Sequence, residues 1–270
     1  MTDSLTITAF EPRHIPGALR LSQEASWPHT ADDWAFALNV SRGVAALEGG
    51  RVVGTGLCSE FGDFVTINMI IVDARLRGRG LGRRLMNEVL AIGGTRGMTL
   101  CATEDGRPLY EKLGFVAYGE ITQFQGIATD VPQVAAPALT LQDKADLGHV
   151  IALDRKGYGA DRSRMLTRLA ETGRIYAGEA GFVAIRDFGR GQVIGPVVAQ
   201  DADTAWAMIA AVAEAGRFLR VDTTPATGLA DRLTSIGLVH VGGGTAMYKA
   251  PARQAEHPWA IFALANQAIG

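Results

Sequence analysis

The chain has 270 residues, enough for two compact units that each carry a core. Hydrophobic residues make up 47% and charged residues 20%, a balance that excludes disorder. Its 26 basic and 28 acidic residues leave a net charge of −2, which argues against a nucleic-acid partner. No apolar stretch approaches membrane-spanning length, and the opening MTDSLTITAF has neither a basic patch nor an apolar signal core, so a cytoplasmic protein is expected. Cys58 and Cys101 fall in separate predicted strands with no zinc-like spacing around them. They read as buried free thiols of a reducing compartment, and no metal is expected.

Leu5 to Phe10 alternates like an edge strand, and Ile15 to Glu24 has helical periodicity. A second helix spans Ala31 to Asn39, opened by Thr30 or Asp32 as its cap. Gly43 to Glu48, the Gly49-Gly50 turn and Val52 to Ser59 make a hairpin. The run Ile67, Met69, Ile70, Ile71, Val72 is short, continuous and largely β-branched, as expected of a central strand buried on both faces.

That strand leads into Asp73-Ala74 and then a loop in which Gly78, Gly80 and Gly82 remove every second side chain, so the backbone can bend and approach a ligand closely. The helix that begins near Leu81 carries Leu85, Met86, Val89 and Leu90 on one face and points its unpaired amides at the same spot. Arg75, Arg77, Arg79, Arg83 and Arg84 add guanidinium forks, so the loop suits a pyrophosphate. A P-loop would end in Gly-Lys-Ser or Gly-Lys-Thr, and the dinucleotide fingerprint would place glycine where Arg83 stands. Both fail, leaving R-x-x-G-x-G on Arg77, Gly80 and Gly82.

Further on, MTLCATEDGRPLYEKLGF reads as a strand from Met98 to Ala102, a loop from Thr103 to Arg107 and a short helix with Pro108 in its first turn, stopped at Gly114. Strands containing Val116 to Tyr118 and Thr122 to Gly126 would close the sheet. Ala128 to Ala138, with Pro132 and Pro137, reads as a linker. The second half repeats the order: strands at Arg174 to Gly178, Gly181 to Asp187 and Gln192 to Val198, a helix at Asp203 to Ala215, a strand at Leu219 to Asp222 and a helix at Leu229 to Ser235. Its counterpart of the glycine loop is Ala199-Gln200-Asp201-Ala202-Asp203, whose acids would repel a pyrophosphate. The closing HPWAIFALANQAIG is apolar and reads as helical, docked on the body or on a partner subunit of a homodimer.

The Arg77-x-x-Gly80-x-Gly82 loop and the Pro108-Leu109-Tyr110-x-x-Leu113-Gly114-Phe115 run together resemble the GNAT superfamily of acyl-CoA-dependent N-acyltransferases. The second half resembles the degenerate copy of bacterial tandem GNAT proteins, with runs such as Tyr158-Gly159-Ala160-Asp161-Arg162, Ile194-Gly195-Pro196 and Val221-Asp222. The resemblance implies an α/β fold of two tandem units, each a mixed, largely antiparallel sheet flanked by helices. Residues 1–127 form the acetyl-CoA domain, 128–138 the linker, 139–250 the degenerate domain and 251–270 the apolar tail.

It implies an N-acetyltransferase acting on the primary amine of a small molecule, such as an amino acid, by direct attack. A CoA-binding sensor or scaffold and a peptide or protein acetyltransferase are the alternatives. Acetyl-CoA would lie on Ile70, Ile71 and Val72, with its diphosphate on Arg77, Gly78, Arg79, Gly80, Leu81, Gly82 and Arg83, and Tyr110 would meet the departing sulfur. Trp27, His29, Trp34 and Asn68 would line the acceptor pocket. Glu60, Asp63 and Glu104 are candidates for the general base, with Glu104 favoured. Tyr158, Asp161, Arg162 and Asp222 would reach over the cleft toward a zwitterionic acceptor.

Overall fold

The computed structural model describes residues 5–135, 137–249 and 255–270; residues 1–4, Ala136 of the expected linker and 250–254, across which the tail boundary was expected, lie outside the described residues. The first half runs β1 (Thr6–Ala9), α1 (Ile15–Glu24), α2 (Ala31–Asn39), β2 (Ser41–Glu48), β3 (Arg51–Phe61), β4 (Phe64–Val72), α3 (Leu81–Gly93), β5 (Gly97–Ala102), α4 (Arg107–Lys112) and β6 (Val116–Ile127). The second runs β7 (Thr140–Leu141), α5 (Gly148–Tyr158), α6 (Ser163–Thr172), β8 (Gly173–Gly178), β9 (Gly181–Phe188), β10 (Gly191–Ala199), α7 (Ala202–Val212), β11 (Phe218–Thr223), α8 (Ala230–Ser235), β12 (Val239–Lys249) and β13 (Ala260–Ala263).

Both halves share one sheet of mixed direction, ordered β1-β2-β3-β4-β5-β12-β6-β11-β10-β9-β8-β7. The order records an exchange. β6 leaves the first half to pair with β11 of the second, while β12 returns from the second half to pair with β5 of the first, and β6 and β12 pair with each other between them. The two strands expected after Phe115 are thus one continuous β6, and it closes the sheet of the other half. On one face α3 buries Leu81, Leu85, Met86 and Val89 against Val65, Ile67 and Leu100. At about 25 cal/mol per Å² of apolar surface removed from water, such layers are the main stabilising term.

The C-terminal tail is a strand rather than a helix. β10 and β11 pair in parallel only at Gln192–Leu219 and Val193–Arg220 and then separate. β13 enters the fork, pairing antiparallel with β10 from Val197 to Ala199. On the other side Leu264 N–H donates to the Asp222 carbonyl at 2.8 Å and Thr223 Oγ1 donates to the Phe262 carbonyl at 2.6 Å. An apolar segment without polar alternation can take either form, and here the unpaired edges inside the fork select the strand.

Candidate active site

In the first half the corresponding fork is open. β4 and β5 pair from Phe64–Gly97 to Ile67–Leu100 and no further. Opposite, β3 and β4 lose register between Thr55 and Leu57, where Met69 adopts φ 52° and Thr55 Oγ1 donates to the Met69 carbonyl at 2.7 Å. This bulge turns the end of β4 away from β5 and leaves the backbone of Asn68 to Val72 facing a groove.

The groove continues onto the glycine loop. Gly78 and Gly80 take φ of 76° and 79°, a conformation that strains any residue with a Cβ, and Gly80 caps α3. The first bond of α3 runs from Arg84 N–H to the Gly80 carbonyl at 3.1 Å, so the amides of Leu81, Gly82 and Arg83 precede the helical ladder. Arg75 is committed to Asp73 by bonds of 3.0 and 2.8 Å, and it holds the Asp73 carboxyl below the usual carboxylate range. Arg77, Arg79, Arg83 and Arg84 form no ion pair among the described residues and are exposed. Free amides, a helix N-terminus and uncommitted guanidinium groups fit a diphosphate.

The hollow so formed has a volume of about 690 Å³ and is lined by Ile70, Ile71, Val72, Arg77, Gly78, Gly80, Leu81 and Gly82, with Tyr110 at its inner end. Arg79, on the exposed turn, and Arg83, exposed in the first turn of α3, stand outside this lining. Tyr110 is buried edge-on against Phe115, and burial pushes its hydroxyl up to about 12.

A second cavity of about 160 Å³ meets the first at Trp27, Ile70, Thr103 and Tyr110. His29 and Asn68 line it, together with Gln123 of exchanged strand β6, Arg220 of its neighbour β11, and Asn266 and Gln267 from the tail. Asn68 Nδ2 donates to Ser59 Oγ at 2.8 Å and to the Thr66 carbonyl at 3.0 Å, which fixes the amide orientation and leaves its Oδ1 buried without a partner. His29 Nδ1 is likewise buried and unpartnered. Loss of hydration drives His29 down to about 4 despite the nearby Asp33 carboxylate, so the ring is neutral at physiological pH.

Trp34 belongs to the core rather than to this wall. It is fully buried, stacks on Phe10 at 5.7 Å and donates from Nε1 to Ser22 Oγ at 2.9 Å. Glu104 is not brought to Tyr110. In the turn that follows β5, Thr103 enters the cavities, whereas exposed Glu104 lines a separate hollow with Arg107 and His240. Glu60 is held by Arg96 at 3.0 Å and Arg42 at 3.1 Å, and Asp63 sits in the turn before β4, at the far end of that strand. Cys58 is buried, whereas Cys101 is half-buried and borders the smaller cavity.

Two family models match the chain: the acetyltransferase (GNAT) family over residues 11–115 and an acetyltransferase (GNAT) domain over residues 150–263. The chain belongs to the GNAT acetyltransferases. It is a tandem member, 28% identical over 276 residues to the uncharacterized N-acetyltransferase YitH of Bacillus subtilis (strain 168), with 95% of each chain covered. A crystal structure of a proposed acetyltransferase from Pyrococcus horikoshii superposes with TM-score 0.84 at 20% identity, covering 100% of this chain and 97% of the other. A tandem GNAT protein from the clavulanic acid biosynthesis pathway gives 0.65 at 14% identity, covering 92% and 100%. GNAT enzymes use acetyl-CoA, and the first-half groove fits it.

The second GNAT unit does not offer a comparable site. Its fork holds β13, and Asp201 caps α7 by accepting from Thr204 N–H at 2.7 Å, taking an amide that a phosphate would need. Calorimetric titration should therefore return one acetyl-CoA per chain, and two sites would refute the assignment.

Among the described residues no helix is long and apolar enough to cross a membrane, and no three His, Cys, Asp or Glu side chains are grouped to hold a metal. Arg220 was not expected in the site. The legible signal was the Arg220-x-Asp222 alternation, which sets both side chains on one sheet face and joins them by bonds of 2.8 and 2.7 Å. Of the residues expected to select a zwitterion, Arg162 is buried on Asp154, Asp161 is bound to Arg155, and Asp222 is tied to Arg220 and to Gln267 N–H.

Proposed function

We propose that this acetyltransferase moves the acetyl group of acetyl-CoA to the primary amine of a small molecule, an amino acid or similar amine, by direct attack. The observation that carries the reading is the pair of unpartnered buried polar atoms, His29 Nδ1 and Asn68 Oδ1, in a small cavity that meets the coenzyme groove at Tyr110. Buried polar atoms are costly unless a partner reaches them, and an amine supplies N–H donors for Asn68 Oδ1 and for the His29 tautomer in which Nδ1 accepts. Arg220 spends Nε and Nη2 on Asp222, leaving Nη1 for a carboxylate of the acceptor.

No carboxylate lines this cavity, so the amine is taken as its free base and His29 orients it. Attack forms the C–N bond and breaks the C–S bond, and the proton shed by nitrogen balances the departing thiolate. With its hydroxyl near 12, Tyr110 holds its proton more tightly than a thiol of about 8.5. Its role is thus to donate a hydrogen bond to the leaving sulfur. Cys101, the thiol beside the cavity, is pushed up to about 12 by burial and stays protonated, which disfavours an acyl-cysteine.

The test is thiol release from acetyl-CoA over a panel of primary amines and amino acids. Tyr110→Phe should lower kcat by about 10²-fold with KM for acetyl-CoA unchanged. Thiol release at the hydrolysis background with every amine would overturn the reading in favour of a CoA sensor.

A further inference from the structure

A third cavity lies on the same sheet face, behind the amine site. Its volume is about 550 Å³, against about 160 Å³ for the amine cavity, and the two share Cys101 and Gln267 as a common wall. The floor is built from small side chains on adjacent strands: Thr66 of β4, Thr99 of β5, Ala246 of β12 and Gly119 of β6. Register places Thr66 beside Thr99 and Ala246 beside Gly119, so they form one smooth surface. The roof comes from the second half and the tail, with Tyr158, Ile261 and Leu264. The mouth is exposed at Tyr118, Glu120, Pro225 and Ala226, while Thr66, Ile121, Leu264 and Tyr158 are buried within.

One position of the floor can take a larger side chain. Gly119 is exposed toward the mouth and paired with Ala246 of β12 beside a register shift, and a Cβ built on it would meet nothing within 4 Å. Gln267, the partition, has its side chain tied by a long bond of 3.4 Å from Nε2 to the Gly243 carbonyl and by a hydrogen bond with the Cys101 thiol, both weak contacts, so turning it aside costs little.

We infer that the acceptor is an amine bearing an apolar substituent, an aryl or branched alkyl group, which passes Cys101 and Gln267 and lies in this chamber on the Gly119 and Ala246 floor. The inference rests on the amine reading of the smaller cavity and deepens it. Neither half could build the chamber alone, because the floor needs exchanged strand β12 and the roof needs the tail.

The test is calorimetric binding of ethylamine, butylamine, hexylamine and phenethylamine to the full chain, followed by acetylation kinetics with the same series. Affinity should rise along the series, with phenethylamine at least tenfold tighter than ethylamine. Gly119→Leu, which projects into the open space, should weaken phenethylamine at least tenfold and leave ethylamine binding and acetyl-CoA binding unchanged. Equal affinity of wild type for all four amines overturns the inference, and it needs no variant to be stable. An equal effect of Gly119→Leu on ethylamine and phenethylamine, or no effect on either, overturns it as well. Apolar amines that bind in this order but are never acetylated would leave the chamber assignment standing and overturn only the catalytic reading.

Discussion

Gly82→Asp is expected to abolish acetyl-CoA binding while leaving the free protein as stable as before, or slightly more so. Gly82 is the second residue of α3, and a Cβ there would meet only Leu109 at 3.6 Å and Val72 at 3.8 Å, ordinary contact distances. A carboxylate in the first turn of a helix is favoured by the dipole by about 0.3–1 kcal/mol, so the unliganded melting temperature should hold or rise. The same charge lies where the diphosphate must sit and repels it. In the wild type, acetyl-CoA at a hundred times its dissociation constant should add about 2.7 kcal/mol. For a chain of this size that is a rise of roughly 5–10 °C in melting temperature. In the variant the rise should vanish. A full shift in Gly82→Asp would mean that the coenzyme does not use the N-terminus of α3. Gly80→Asp is the less clean test, because φ of 79° adds strain of its own.

That loop was legible in the sequence because its chemistry is local: glycine spacing, arginines and the following amphipathic helix lie within a few residues of one another. The limits of α1 and α2 were equally legible, and Thr30 does cap α2. What sequence could not show was partnership. Nothing in the residues of β6 and β12 tells that each pairs in the half it did not come from. Trp27 and Trp34 stand in one segment, yet Trp27, in the loop between α1 and α2, reaches both cavities while Trp34, on the buried side of α2, faces the core. Glu104 looked suitable by residue type, but the turn after β5 places it on a hollow that Tyr110 does not line. The tail was the largest misreading, since its strand form depends on a vacancy between β10 and β11 that only the assembled sheet creates.

Asp33→Ala should be among the most damaging single substitutions, and its harm should be partly undone by a second change at Arg186. Asp33 and Arg186 lie 153 residues apart and meet at 3.0 Å, both almost wholly buried, across the contact between the halves. The other carboxylate oxygen accepts from Thr30 N–H at 2.8 Å, Thr30 Oγ1 at 2.9 Å and Gly189 N–H at 3.1 Å. Removing it loses half of the α2 capping box, about 1 kcal/mol, and strands a guanidinium whose Nε already has no partner. Breaking a buried pair from one side costs about 3–5 kcal/mol. Together these predict a fall of roughly 10 °C or more in melting temperature. Adding Arg186→Met removes the stranded charge while keeping an apolar stem against Phe36 and Phe188, which now lie 4.5 and 4.9 Å from the guanidinium carbon. The double variant should therefore be more stable than Asp33→Ala alone, a coupling that thermal melts of the cycle would measure directly. The same contact holds Gly189 against Pro28, next to Trp27 and His29, so Asp33→Ala should also raise KM for the amine and leave acetyl-CoA affinity intact. Additive losses in the double variant would show that the pair does not act as a unit, and the link between the joined halves and the amine cavity would fall with it.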